Sequence, residues 1–123
     1  MIYNTTLSMT SKPPVITAKL QRSVRSKRKY QVALYQSRGT LQPENQWGPS
    51  VKIVHFGHPD FLDFTQNGAD EQKKKNYIAR HKPREHWHDP YSPGFWARWL
   101  LYNKPTIKEA KEDITRMFGI QFL

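Results

Sequence analysis

The first carboxylate in this chain is Glu44. Ahead of it stand Lys12, Lys19, Arg22, Arg25, Lys27, Arg28, Lys29 and Arg38, so residues 1–43 hold eight cations and no anion. The other 12 of the 20 Lys and Arg are set against all 10 Asp and Glu, which leaves the rest of the chain nearly balanced. A segment of one charge sign repels itself and cannot neutralise that charge internally, which makes it a poor source of core. The asymmetry predicts a folded body behind a cationic arm, and such an arm meets an acidic partner.

The body must find its core in aromatic residues. Only 37% of the chain is hydrophobic, but four Trp, six Tyr and six Phe are present. Each large ring removes roughly 150–250 Å² from water on burial, enough in this number to close a small domain. There is no cysteine, so disulfides, thiolate catalysis and cysteine-based zinc sites are excluded. Lys12, Lys19 and Arg22 interrupt any apolar run of signal-peptide length, and no run approaches the ~20 residues of a membrane span. The expectation is a soluble, non-secreted chain.

Residues 1–29 lack a sustained period, contain Pro13-Pro14, and read as an extended basic arm; residues 30–123 read as one small α+β domain. Within the domain, Tyr30, Val32 and Leu34 alternate as one face of a strand, and residues 51–56 form a second. The connection between them is longer than a tight hairpin, with room for a short strand near Leu41. Phe61, Leu62 and Phe64 make an apolar patch ahead of the Asn67-Gly68 turn. A first helix starts at Asp70-Glu71 and stops at Pro83. Ser92-Pro93 opens a second helix as N-cap and first residue, and Phe95, Trp96, Trp99, Leu100 and Leu101 make it the core. Thr106 and Glu109 form a capping box for a third. Its apolar face is Ile107, Ala110, Ile114, Met117 and Phe118, and Gly119 ends it.

Few residues suggest catalysis. His81, His86, His88 and Asp89 lie close in sequence, and His55 and His58 close a strand, but their spacing matches no zinc or nuclease pattern. No nucleophile elbow, phosphate-cradling glycine loop or carboxylate pair is visible, so the chain reads as a non-enzyme without metal or cofactor. Trp87, Trp96 and Trp99 have the chemistry to stack bases, although Trp96 and Trp99 sit where core is expected. Arg98, within the apolar helix, is expected along tryptophan faces or against Glu85 or Asp89.

The block Tyr77-Ile78-Ala79-Arg80-His81-Lys82-Pro83-Arg84-Glu85-His86-Trp87 is followed by Gly94-Phe95-Trp96-Ala97-Arg98-Trp99-Leu100-Leu101 and Asn103-Lys104-Pro105-Thr106. Upstream stand Ile53-Val54-His55-Phe56-Gly57 and Asp63-Phe64-Thr65. Together these resemble a family of small basic proteins of large double-stranded DNA viruses, including those of algae, over about residues 29–118. The family has no agreed activity and no catalytic residues to transfer. The resemblance implies a virion setting and manufacture in the host cytoplasm or nucleus.

Two functions follow as expectations. In the first, the chain is a structural virion protein, of minor-capsid or cement type, in an oligomeric assembly. It would hold neighbouring capsid proteins through the apolar residues Ile2, Tyr3, Val15, Ile16 and Trp47. The arm cations Lys12, Lys19, Arg22, Arg25, Lys27, Arg28 and Lys29 would add electrostatic attraction. In the second, it binds the viral genome, with Arg22, Arg25, Lys27, Arg28 and Lys29 joined by Lys73, Lys74, Lys75, Arg80, Lys82 and Arg84 on one phosphate-binding surface.

Overall fold

Alternation and capping carry most of the architecture into three dimensions. A computed structural model describes residue 15, residues 17–36, residue 50 and residues 52–123. Four strands form one mixed sheet: β1 (Thr17–Arg22), β2 (Tyr30–Tyr35), β3 (Lys52–Phe56) and β4 (Gln121–Phe122), in the order β3-β2-β1-β4. Both neighbours of β2 run antiparallel to it, with Leu20 opposite Val32 and Val32 opposite Val54. β4 lies parallel to β1, Ala18 opposite Phe122, and the Leu123 N–H extends the ladder by donating to Ala18 O at 2.9 Å. Three helices follow β3 in the chain: α1 (Glu71–His81), α2 (Pro93–Trp96) and α3 (Ile107–Phe118). A single 3₁₀ turn, Lys82–Arg84, extends α1, and α2 passes directly into a π-helical turn, Ala97–Leu101. The fold is α+β.

The period of two divides the sheet into unlike faces. Ala18, Leu20, Tyr30, Val32, Leu34, Val54 and Phe56 face the helices and join the core. The register puts Lys19, Ala33 and Ile53 in one cross-strand row on the far face, and Gln21, Gln31 and His55 in the next. Over the core face, Phe95, Trp96, Leu100 and Leu101 are almost completely buried. Trp96 packs on Phe56 with ring centroids 6.5 Å apart and meets Phe122 in a T-shaped contact at 87°. Its indole N–H donates to Pro90 O at 2.6 Å, so burying the one polar atom of the ring leaves no donor unpaired.

The caps form as the sequence predicts. The hydroxyls of Ser92 and Thr106 accept from the N–H groups of Phe95 and Glu109; Asp70, expected to favour the start of α1 by its charge, also caps it by accepting from Lys73 N–H. Gly119 ends α3 at φ +71°, a conformation open to glycine at no steric cost.

Several expectations need correcting. Thr17–Arg22, assigned to the arm, is a strand of the sheet: Ala18 and Leu20 reach the core while Lys19 and Gln21 project from the far face. The charged and polar half of that alternation gives it the look of a solvated arm. Val15, expected as an exposed anchor, is buried in the core. Met117, expected on the apolar face of α3, is 41% exposed, because Ile107, Ala110, Ile114 and Phe118 complete that stripe without it. The patch at Phe61, Leu62 and Phe64 divides: Phe64 is buried, and the other two are exposed. The β4 strand is an addition that two residues cannot announce. Ile2, Tyr3, Lys12, Ile16, Trp47 and the strand near Leu41 lie outside the described residues.

Candidate nucleic-acid interface

The connection from β1 to β2, residues 23–29, carries Arg25, Lys27 and Arg28 within four positions. Like charges this dense would splay a free loop, but this turn is fastened along its length. Ser23 N–H donates to Lys29 O at 3.1 Å and closes it. The Ser23 hydroxyl accepts from Arg25 N at 3.0 Å, the local bond that makes serine a turn former. Val24 N–H donates to Gln31 Oε1 at 3.0 Å, and Ser23 Oγ lies 2.8 Å from His55 Nδ1. Gln31 and His55 are adjacent in one far-face row, so the sheet itself grips the turn. Lys29 N–H is shared between Phe56 O and Gly57 O, which fixes its other end to the end of β3. Arg22, Arg25, Lys27 and Arg28 are all exposed, and none has an ion-pairing carboxylate among the described residues.

His55 reports on this field. Its pKa lies below 6.5, first because the ring is partly desolvated and then because the charges of Arg25 and Arg28 oppose its protonation. The neutral ring leaves Nδ1 able to accept the Ser23 hydroxyl proton. A histidine with a depressed folded-state pKa is protonated first in the unfolded chain. Its stabilising contribution is present above pH 6.5 and is lost as pH falls below that value through the folded-state pKa. A proton NMR titration of the ring should give a midpoint below 6.5 that moves part of the way back in an Arg25→Ala/Arg28→Ala variant. A midpoint at or above 6.5 in the parent chain would contradict this field.

Next to the turn, residues 57–67 are organised around one buried carboxylate. Asp63 is 1% exposed; its Oδ2 accepts from Lys29 Nζ at 2.7 Å and its Oδ1 from Thr65 N at 2.9 Å. Its carbonyl accepts from Gln66 N and Asn67 N, and Gln66 Oε1 accepts from Lys29 Nζ and Asp63 N. Lys29 is therefore neutralised and nearly buried, and cannot serve as a partner-binding cation. It joins the basic turn to the loop that holds Phe61 and Leu62 in solvent.

The second basic group behaves differently. Lys73, Lys75, Arg80, Lys82 and Arg84 are exposed along α1 and its 3₁₀ extension. Lys74 points inward, 4.5 Å above the Phe64 ring, and donates to Asn103 O at 3.1 Å; it holds the helix in place. No hydrogen bond or ion pair among the described residues links this group to the turn. Of the two basic groups, the turn is fastened to the sheet through Gln31 and His55, and the second is carried by α1. Lys19 stands on the far face, two residues along β1 from the row that grips the turn.

Trp87, Trp96, Trp99 and His81 are engaged within the fold. Trp99 N–H donates to Trp87 O, Trp87 N–H donates to Glu85, and the Arg98 guanidinium sits 4.3 Å from Trp99 and 5.4 Å from Trp87. Arg98 thus lies along tryptophan faces, one of its two expected placements; its Nη1 donates to Tyr102 O rather than to a carboxylate. His81 stacks on Tyr77 and pairs with Glu85. Among the described residues, no three His, Asp or Glu side chains are grouped to hold a metal ion, and no helix is long and apolar enough to cross a membrane. Sequence reading misses Gln31 and His55 as the grips of the turn, and Phe61 as part of the loop that Lys29 joins to it. The signal for Gln31 was its place between Tyr30 and Val32, which turns it to the far face.

A model for a family of unknown function, DUF5754, matches residues 18–81, from β1 to the end of α1. The matched stretch contains the turn, both of its grips and the Asp63 loop. No curated protein and no solved structure matches the chain significantly.

Proposed function

The chain belongs to the DUF5754 family by a match over more than half its length, and from its surface we propose that it is a non-enzymatic nucleic-acid-binding protein that grips phosphate through the β1–β2 turn. The observation that carries this reading is the exposure of Arg22 at the end of β1 and of Arg25, Lys27 and Arg28 on the turn fastened by Gln31 and His55, with no carboxylate among the described residues to quench them. Cations on a fastened backbone are spared the backbone share of the ordering cost when they meet a polyanion, and each phosphate they neutralise releases condensed counterions. The burial of Val15 weakens the competing reading of an apolar anchoring arm.

The test is the salt dependence of oligonucleotide binding by the full chain. Removing two phosphate contacts with Arg25→Ala/Arg28→Ala should flatten the slope of log K against log salt by roughly 1.4 on a single strand or 1.8 on a duplex. An unchanged slope would sink the turn as the phosphate contact.

A second reading is favoured by Phe61 and Leu62, an adjacent apolar pair 62% and 64% exposed. In it the chain is a structural virion protein, of minor-capsid or cement type, docking on a neighbouring capsid subunit through that pair. Co-purification with capsid shells stripped of genome, lost in a Phe61→Ser/Leu62→Ser variant, is the outcome it requires.

A further inference from the structure

We propose that the nucleic acid is taken as a single strand, and that Phe61 is the platform on which one of its bases stacks. The inference rests on the nucleic-acid reading above and names the form of the ligand.

Phe61 is a large ring held in water by a rigid loop. Two residues away, buried Asp63 fixes the backbone through Thr65, Gln66 and Asn67, and Lys29 anchors the same carboxylate to the end of the basic turn. The loop and the turn also meet at Gly57, where an added Cβ would stand 3.1 Å from Lys29 Cβ. The ring is supported on one side by His58, with centroids 4.6 Å apart at 46°. Its 62% exposure leaves the rest of the ring open. Aromatic rings beside cations are how single-strand binders take up bases without reading sequence, since every base has a π-face. Among the described residues the tryptophans do not compete for this role: Trp96 is buried, and the Arg98 guanidinium lies over the rings of Trp87 and Trp99.

The choice of strand form follows from geometry. In a duplex the base faces are already stacked on one another, and a side chain reaches them only by opening a step, at a cost of a few kcal/mol. A single strand offers splayed bases and a flexible backbone that can place phosphates on Arg25 and Arg28 while a base covers Phe61. One group opposes this placement: Asp60 is exposed, its carboxylate 4.0 Å from His58 Nδ1. It repels phosphate on its own side of the ring and should direct the backbone toward the arginines.

The experiment is fluorescence anisotropy of the full chain with a labelled oligothymidylate of about 12 nucleotides, within the usual site sizes, and with a duplex of equal length. Phe61→Ala should weaken single-strand binding about 5- to 100-fold, leave duplex binding and the single-strand salt slope unchanged, and be rescued by Phe61→Tyr. Because the ring is exposed, the thermal melt of each variant should match the parent. Equal binding of the single strand by Phe61→Ala and the parent, or an equal loss on duplex, would overturn the inference and leave the turn's phosphate contact standing. Absence of binding to either form in low salt would overturn both, and would leave Phe61 and Leu62 to a protein partner.

Discussion

Replacing Asp63 with Ala should destabilise the protein by about 3–5 kcal/mol, the usual cost of removing one partner from a buried ion pair. The carboxylate is 1% exposed and its partner Lys29 has a side chain only 10% exposed, so the orphaned ammonium would keep Gln66 as its sole described acceptor. Thr65 N–H would lose its acceptor as well. Small domains are stable by about 5–15 kcal/mol in total, so the urea midpoint of the variant should fall well below that of the parent. Replacing both partners with apolar residues, Asp63→Leu/Lys29→Met, should cost less than either single change, because no charge is then left buried alone. A loss below about 1 kcal/mol for Asp63→Ala would mean that water reaches the pair freely, as it does in an exposed ion pair. The loop could not then hold Phe61 rigidly.

Trp96→Ala should cost about as much, in the range of 3–5 kcal/mol found for large aromatic truncations in a core. The ring is fully buried and touches three separate parts of the chain: Phe56 on β3, Phe95 on its own helix and Phe122 on β4. Its loss removes apolar burial and leaves a cavity where sheet and helix meet. Trp96→Phe should cost less, since it refills much of the space but leaves Pro90 O without its donor, a penalty of about 1–3 kcal/mol. Thermal melts followed by circular dichroism rank the three chains. An alanine variant no less stable than the phenylalanine variant would show that packing at this site is not what joins the layers.

Where local chemistry decides the structure, the sequence was readable. Thr106 with Glu109, Ser92 with Pro93, and Gly119 each act within a few residues, and each sits in the role its side chain predicts. The strands β2 and β3 were equally plain, because most of their core residues, Tyr30, Val32, Val54 and Phe56, are β-branched or aromatic. What escaped depends on partners distant in the chain. Lys29 reads as one more arm cation until Asp63, 34 residues later, neutralises it. Lys74 reads as the centre of a basic run until Asn103 and Phe64 claim its ammonium. β1 carries its apolar residues under a polar disguise, and β4 has too few residues to show a period. The candidate interface was thus half legible. Its cations were visible in the sequence, and the grips that give them shape were not.

The most direct test is to titrate the isotope-labelled full chain with oligothymidylate and map the backbone amide shifts by NMR. The account predicts the largest changes at residues 22–29, at His55 and Gln31 behind them, and at residues 58–62. The exposed cations of α3, Lys108 and Arg116, should stay still. Changes confined to α1 and its extension, or to α3, with the turn unmoved, would contradict the account.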